Sequence, residues 1–221
     1  TSKVRNQLDT NSIRMDIDKL TSQNRWEVDF VEPEEIIEIH GTVVQWEKLT
    51  FLNVDKEQMK DYFYVIADRV EKHIAKVFFE FINSGEIKFY LNENLIKGRD
   101  PFFRKHIKTR SLGLTTLELE GQLIEVEPFI LPVYEDLDHQ DQIEVLGKGL
   151  EDEQGFYVYR NKRLIVDGGW LDIEGLKRDN KSNYARIRVS IPKDLDIAFN
   201  INFAKNSASV PPTLTKSFYA I

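Results

Sequence analysis

The chain's 221 residues, 41% of them hydrophobic and 30% charged, are typical of a globular protein long enough to bury a core. Its lack of cysteine excludes disulfides, thiolate zinc sites and thiol nucleophiles, and fits the reducing cytoplasm, the location that we predict. The formal net charge of −7 argues against a protein that coats nucleic acid with its whole surface, and no apolar run reaches membrane-spanning length.

The first fifty residues predict a short helix followed by strands. Apolar side chains recur at helical spacing from Ile13 to Leu20. The segment RWEVDFVEP then alternates apolar and polar side chains from Trp26 onwards, which predicts a half-buried strand. The segment IIEIHGTVVQWEKL, residues 36–49, predicts two further strands that meet at Gly41.

The longest helical pattern runs from Lys56 to Ile82, so we place a domain boundary near residue 53. Its apolar side chains recur at steps of three and four residues and form one stripe: Met59, Tyr62, Phe63, Ile66, Val70, Ile74, Val77, Phe78 and Phe81. A continuous helix of this length would extend about 40 Å. Asn83-Ser84-Gly85 supplies its stop signal.

Three β-hairpins are predicted after the helix, each with a turn signal between two alternating runs. Their turns lie at Asn92-Glu93-Asn94, at Glu120-Gly121 and at Asn161-Lys162. After the third hairpin, Asp167-Gly168-Gly169 is interpreted as a turn beside Trp170 rather than as a nucleotide contact. These elements predict a mixed α/β fold (α+β), with a mixed β-sheet and one long helix.

Two more strands are predicted near the end of the chain. In YARIRVSIP, one face carries Ala185, Ile187, Val189 and Ile191, and the outward face carries Arg186, Arg188 and Ser190. In FNINFAKNSASVPP and the residues just before it, the alternation runs from Ile197 to Phe203, with Asn200 and Asn202 on the polar face. That strand leads into Lys205, which lies in a small-residue stretch that two prolines close.

A basic segment, Lys97–Arg110, interleaves positive side chains with Phe102 and Phe103. Such a pattern suits contact with a phosphate backbone and stacking on bases. The residues that would make these contacts are Arg104, Lys105, Lys108 and Arg110. A solvated loop is the commoner explanation of such a run, and both interpretations stay open.

Several segments between about Trp26 and Pro212 resemble GHKL ATPases, the family of gyrase, heat-shock chaperone, histidine kinase and MutL type. The segment GTVVQWEKL resembles the last core strand of their nucleotide-binding domain. The segments YVYRNKRLI, ARIRVSIP and FNINFAKNSASVPP resemble, in that order, the transducer domain of MutL-like proteins. The nearest likeness is to bacterial GHKL proteins described as chaperone-like or MutL-like.

The resemblance implies two domains. Residues 1–52 would be the C-terminal remnant of a Bergerat-type ATPase sheet. Residues 53–221 would be an α/β transducer similar to the second domain of a ribosomal protein, a sheet with helices on one face. It would couple ATP binding and hydrolysis to conformational change.

The resemblance also implies specific contacts with ATP. The threonine of Gly41-Thr42 would help to hold the adenine, and Lys205 would contact the terminal phosphate. Ala204-Lys205 matches the Pro-Ala-Lys turn of the family, whereas Phe203 stands where those proteins have proline. Taken alone, Gly-Thr before an apolar strand is most simply a turn, and Lys205 is most simply a surface lysine.

The family's main ATP-binding motifs, Glu-x-x-x-Asn and Asp-x-Gly-x-Gly, are not found in this sequence, and the turn at Asp167 follows Gly41-Thr42 instead of preceding it. The resemblance therefore implies that the catalytic half precedes Thr1 and that this chain alone is an inactive fragment. The intact protein would be a dimeric ATP hydrolase that uses ATP and Mg and acts on nucleic acid or a client protein. The alternative is a stand-alone nucleic-acid-binding or protein-interaction module that uses Lys97–Arg110.

Overall fold

The computed structural model describes residues 1–4, 9–23, 28–34, 37–48, 55, 57–146 and 149–221. The chain divides into two compact units, Thr1–Lys56 and Glu57–Ile221. Three predictions concern residues outside the described ranges. They are those for Trp26, for the first residue of the segment 36–49 and for the boundary near residue 53. Within the described ranges, none of the helices has the length and apolar character needed to cross a membrane.

The first unit consists of short elements. They are β1 (Ser2–Lys3), β2 (Ser12–Arg14), α1 (Ile17–Gln23), β3 (Asp29–Val31) and β4 (Gly41–Thr42). β1 pairs with β4 and β2 with β3, both antiparallel. Instead of the two strands predicted to meet at Gly41, the described residues there form only β4. Val44 and Trp46 are exposed, so the alternation after Gly41 has no core to face.

The long helix predicted for the second unit is found at the expected position, but it is interrupted once. It consists of α2 (Met59–Val77) and α3 (Phe79–Asn83) and ends at the predicted stop. Phe78, between them, leaves helical geometry with φ −106° and ψ 19°, and its ring packs 5.1 Å from that of Phe89. Neighbouring residues on a straight helix point about 100° apart. The break lets Phe79 enter the core while Phe78 packs elsewhere.

The rest of the second unit is mostly β-sheet, with short helices between the strands. The elements are β5 (Tyr90–Leu91), β6 (Asn94–Leu95), β7 (Arg110–Ser111), β8 (Thr115–Leu119), β9 (Gln122–Ile130), α4 (His139–Leu146), α5 (Leu150–Glu153), β10 (Gly155–Arg160), β11 (Arg163–Asp167), β12 (Ala185–Ile191) and α6 (Thr215–Tyr219). The main sheet has the order β11-β10-β12-β9, and both β7 and β8 pair with the far edge of β9. Because β10 and β12 are parallel and the other pairs antiparallel, the predicted mixed sheet is confirmed.

All three predicted hairpins are formed, as β5–β6, β8–β9 and β10–β11. The central residues of each turn have positive φ, the backbone that tight hairpins with right-handed twist require. Asparagine and glycine accept this backbone at low cost, which explains why the turn signals located the hairpins correctly.

One face of the main sheet is mostly apolar. Phe156, Val158, Ile187 and Val189 point to this face and are almost fully buried. The segments after β11 and β12 cover them with the side chains of Ile173, Leu195, Phe199, Leu214 and Phe218. The segment after β12 therefore contributes to the core that covers this face of the sheet.

The opposite face of the sheet is also covered, which corrects the prediction that β12 turns its polar side chains to solvent. Arg186 is 1% exposed and donates to the backbone oxygens of Asn183 and Ala185. Arg188 is held by the carboxylates of Glu80 at 2.7 Å and Glu125 at 3.1 Å. Buried cations need such partners because burial removes their hydration.

Candidate phosphate-contacting loop

The strand predicted from Ile197 to Phe203 is not formed. After β12 the chain passes through a 3-10 turn at Lys193–Leu195 and continues as a series of turns. Ile197 is 94% exposed and Phe203 101% exposed, whereas Phe199 is fully buried, so the apolar side chains do not share one face. Asn200 has φ +48°, a left-handed conformation that asparagine tolerates and that an extended strand does not contain.

The base of this loop is fixed to the sheet. Arg160, the last residue of β10, donates from Nε and Nη2 to the two carboxylate oxygens of Asp196 at 2.7 and 2.8 Å. The Asp196 carbonyl accepts from the Ile201 N–H at 2.9 Å. Phe199 fills the core beside Phe218, with ring centroids 6.4 Å apart. A bidentate arginine–carboxylate pair fixes orientation as well as distance, so the loop leaves the sheet in a defined direction.

The tip of the loop, the Asn202–Asn206 turn, is closed by three hydrogen bonds. The Lys205 N–H donates to the Asn202 carbonyl at 2.9 Å. The Asn206 N–H donates to Asn202 Oδ1 at 3.0 Å, and Asn202 Nδ2 donates to Asn206 Oδ1 at 2.6 Å. Asn202 therefore does not face solvent along a strand, as the sequence predicted, but holds a turn together. Short polar side chains that bond nearby backbone stabilise such turns.

Lys205 is held on this turn with φ +54°, a left-handed conformation. Within the described ranges, no side chain forms an ion pair or hydrogen bond with its ammonium group. A lysine on an ordered turn with an unused ammonium can donate to an external anion, and a phosphate oxygen is a strong acceptor for it.

A cleft of about 420 Å³ lies beside the loop. One wall is formed by Val166 and the residues from Gly168 to Asp172, and Asn206, Ser207 and Ala208 line another part. Gly168 and Gly169, with φ +90° and +88°, form the predicted turn beside Trp170. Lys177 and Arg178 also line the cleft, and Arg178 pairs with Asp152 at 2.7 Å.

A cluster of charged side chains, the Lys76 cluster (Lys76, Glu153 and Asp167), ties α2 to the sheet, with Lys76 and Glu153 buried and Asp167 half-buried. Lys76 Nζ lies 3.1 Å from Glu153 Oε1 and 2.9 Å from Asp167 Oδ2. Tyr157 donates its hydroxyl to Glu153 Oε2 at 2.6 Å, and burial raises the pKa of that hydroxyl. Sequence reasoning missed this cluster, because a lysine in a helical pattern is normally solvated.

The Gly41-Thr42 pair forms β4, whose partner is β1. Both residues are exposed, and the space where a Cβ of Gly41 would lie is open. A ligand can therefore approach this backbone closely. Thr42 belongs to the first unit and Lys205 to the second, and the role of Thr42 at an adenine stays a prediction.

The basic segment differs from the pattern that base stacking requires. Phe102 is fully buried, 5.0 Å from Phe129 and 5.4 Å from Tyr157 between ring centroids, and Phe103 is also buried. The prediction that these rings stack on bases is therefore wrong.

The cations of that segment are partly engaged within the fold. Arg104 lies over the Phe79 and Phe102 rings and pairs with Asp100, and Lys108 pairs with Asp136 at 2.6 Å. Lys105 and Arg110 are exposed. Their contact with a phosphate backbone stays a prediction.

No protein-family model matches this chain, and neither a curated protein nor a solved structure is significantly similar to it.

Proposed function

We propose that this chain is the transducer part of a GHKL-type ATPase, chaperone-like or MutL-like, and that Lys205 contacts the terminal phosphate of ATP. The observation that carries the proposal is the ordered Asn202–Asn206 turn, which presents an ammonium group without a partner among the described residues. The mixed sheet with helices supports a domain similar to the second domain of a ribosomal protein. In this proposal the first unit belongs to a Bergerat-type ATPase sheet.

The proposed mechanism uses Lys205 as a sensor of the terminal phosphate. Its ammonium donates a charge-assisted hydrogen bond worth about 1.5–3 kcal/mol, which shifts an equilibrium by a factor of about 10 to 150. Lys205 makes this contact only while the phosphate is in place, so hydrolysis releases the loop. Arg160 and Asp196 join the loop directly to β10. The contact between Lys205 and the phosphate therefore also holds the sheet in place, and loss of that contact would free the sheet to move.

The residues present fit the ATP that the resemblance implies. Thr42 would hold the adenine edge or a bound water through its hydroxyl, with Gly41 leaving room for the ring. In this proposal Mg is held by the N-terminal ATPase half of the same protein, as the family resemblance implies. In this proposal the intact protein is a dimer that closes on a client protein or nucleic acid.

The proposal is tested first on the coding frame and on the isolated chain. We expect the frame upstream of the Thr1 codon to encode Glu-x-x-x-Asn followed by Asp-x-Gly-x-Gly. We expect isothermal titration of the 221-residue chain to detect no binding of ATP. A frame without these motifs would overturn the proposal. Binding of DNA or RNA by the isolated chain that weakens steeply with salt would instead favour the module that uses Lys105 and Arg110.

A further inference from the structure

Asn202 takes part in all three hydrogen bonds that close the Asn202–Asn206 turn. Its carbonyl accepts from the Lys205 N–H at 2.9 Å, and its Oδ1 accepts from the Asn206 N–H at 3.0 Å. Its Nδ2 donates to Asn206 Oδ1 at 2.6 Å. Asn202 is exposed, so water could satisfy its side chain equally well. Instead, both ends of its amide bond the residue that directly follows Lys205.

These hydrogen bonds hold Lys205 in a backbone conformation that lysine disfavours. Its φ is +54°, in the left-handed region, where the Cβ of a residue other than glycine crowds the backbone. The Lys205 side chain is half-buried, although its ammonium has no partner within the described ranges. Without the bonds to Asn202, the backbone at Lys205 would be free to return to a more favourable conformation. The direction of the lysine side chain therefore depends on Asn202.

The loop on both sides of the turn is fixed by other hydrogen bonds. Before the turn, the Ile201 N–H donates to the Asp196 carbonyl at 2.9 Å. After it, the Ser209 N–H donates to the carbonyl of the buried Phe199 at 2.8 Å. These bonds do not involve Asn202, so loss of its side chain would loosen the turn and leave the base of the loop attached to the core.

We infer that Asn202 is a positioning residue for Lys205, which holds the turn in the conformation that presents the ammonium to the terminal phosphate before nucleotide binds. This inference rests on the proposed function. A lysine is a point charge on a flexible stem, so a preformed turn lowers the cost of ordering it on binding. Without Asn202, only the molecules in which the turn is closed make the phosphate contact, and the apparent affinity falls by that fraction.

The test measures the affinity of the protein encoded by the complete reading frame for a non-hydrolysable ATP analogue and for ADP. The ratio of the two affinities reports the contact with the terminal phosphate, whereas a general structural defect weakens both. The variants are Asn202→Ala, Asn206→Ala, Lys205→Ala and the double variant Asn202→Ala/Lys205→Ala. Ser207→Ala is the matched control, because Ser207 is exposed on the same loop and its hydroxyl bonds to none of the described residues.

We expect Asn202→Ala to lower the ratio about tenfold, by weakening the analogue and leaving ADP unchanged. Asn206→Ala should lower it less, because the backbone N–H of residue 206 still donates to Asn202 Oδ1. In the Lys205→Ala background, Asn202→Ala should cause no further loss, since a residue that acts through Lys205 has no effect once that lysine is gone. Ser207→Ala should behave as wild type.

Two results would overturn the inference and leave the proposed function standing. The first is a wild-type ratio in Asn202→Ala while Lys205→Ala lowers it. The second is an equal loss from Asn202→Ala with and without Lys205, or an equal loss for ADP, which would make Asn202 a residue of the fold alone. If Lys205→Ala itself keeps the wild-type ratio, the proposed function fails, and the inference fails with it.

Discussion

Replacing Lys76 by methionine is expected to lower the free energy of unfolding of the second unit by about 3–5 kcal/mol. Lys76 is 7% exposed, and its ammonium is the cation shared by Glu153 and Asp167. Methionine fills the same space but leaves Glu153, itself 2% exposed, facing one cation fewer. A buried charge that loses a partner costs far more than an exposed one, because water cannot replace the partner.

Urea unfolding of the isolated chain measures this effect, with Lys72→Met as the matched control. Lys72 lies on the same helix and pairs with Asp68 at 2.8 Å, but both side chains are exposed. The control should cost about 0.5 kcal/mol or less. Equal losses in the two variants would show that the Lys76 cluster is no more important to the fold than a surface ion pair.

The same variant should change the response to acid. Burial acts to raise the pKa of Glu153, but Lys76, Arg99 and the Tyr157 hydroxyl outweigh it, and the net pKa lies below its usual 4.5. A carboxyl with a lowered folded-state pKa contributes stability that is complete above its unfolded pKa and is lost as the pH falls through the folded value. Wild-type stability should therefore fall as the pH drops below about 4.5. Lys76→Met should show a weaker acid dependence, because only Arg99 and the Tyr157 hydroxyl then still lower the pKa of Glu153.

Gly155→Ala is expected to destabilise the chain by about 3 kcal/mol or more. A Cβ on Gly155 would lie 2.2 Å from the Gly169 carbonyl oxygen, a backbone atom that cannot move away cheaply. That oxygen accepts from the Phe156 N–H at 2.8 Å, so the two segments cross in direct contact. The start of β10 and the wall of the cleft would both have to shift.

Gly113→Ala separates this clash from backbone strain. Gly155 and Gly113 have φ +100° and +97°, but a Cβ on Gly113 would meet no atom within 4 Å. Gly113→Ala should therefore cost only the price of left-handed backbone, about 1 kcal/mol. Denaturant unfolding of both variants gives the difference. A Gly155→Ala variant as stable as Gly113→Ala would contradict the close crossing of the two segments.

Local signals in the sequence predicted the local structure well. The turn at Asn161-Lys162 was predicted from these two adjacent residues, and both have positive φ in the structure. Predicting it needed no knowledge of distant contacts. The buried face of β12 also follows from strict alternation. The helix stop at Asn83 was predicted for the same reason, since its signal lies in the next two residues.

Non-local contacts account for two features that the sequence did not predict, and a local one for a third. Arg186 and Arg188 alternate as a solvent face would, but helices and loops distant in sequence cover that face of the sheet. Lys76 is buried only because two carboxylates meet it there. The strand predicted from Ile197 failed for a local reason, because nothing in the alternation signalled the left-handed Asn200.

The candidate site was predicted in one part and missed in another. The family resemblance singled out Lys205, but not the turn that orders it. Asparagine side chains that bond nearby backbone favour turns, and Asn202 does so by accepting from the Asn206 N–H. The exposure of Phe203 was not predictable, because an apolar residue in an alternating run is expected to be buried.

The central claim is that Lys205 senses the terminal phosphate of ATP, and steady-state ATP hydrolysis by the protein from the complete reading frame tests it most directly. Lys205→Ala is compared with Lys216→Ala, which removes another lysine of the second unit. We expect Lys205→Ala to lower kcat by a factor of about 10 to 150, without lowering the melting temperature, and Lys216→Ala to behave as wild type. Wild-type hydrolysis by a folded Lys205→Ala protein would contradict the account.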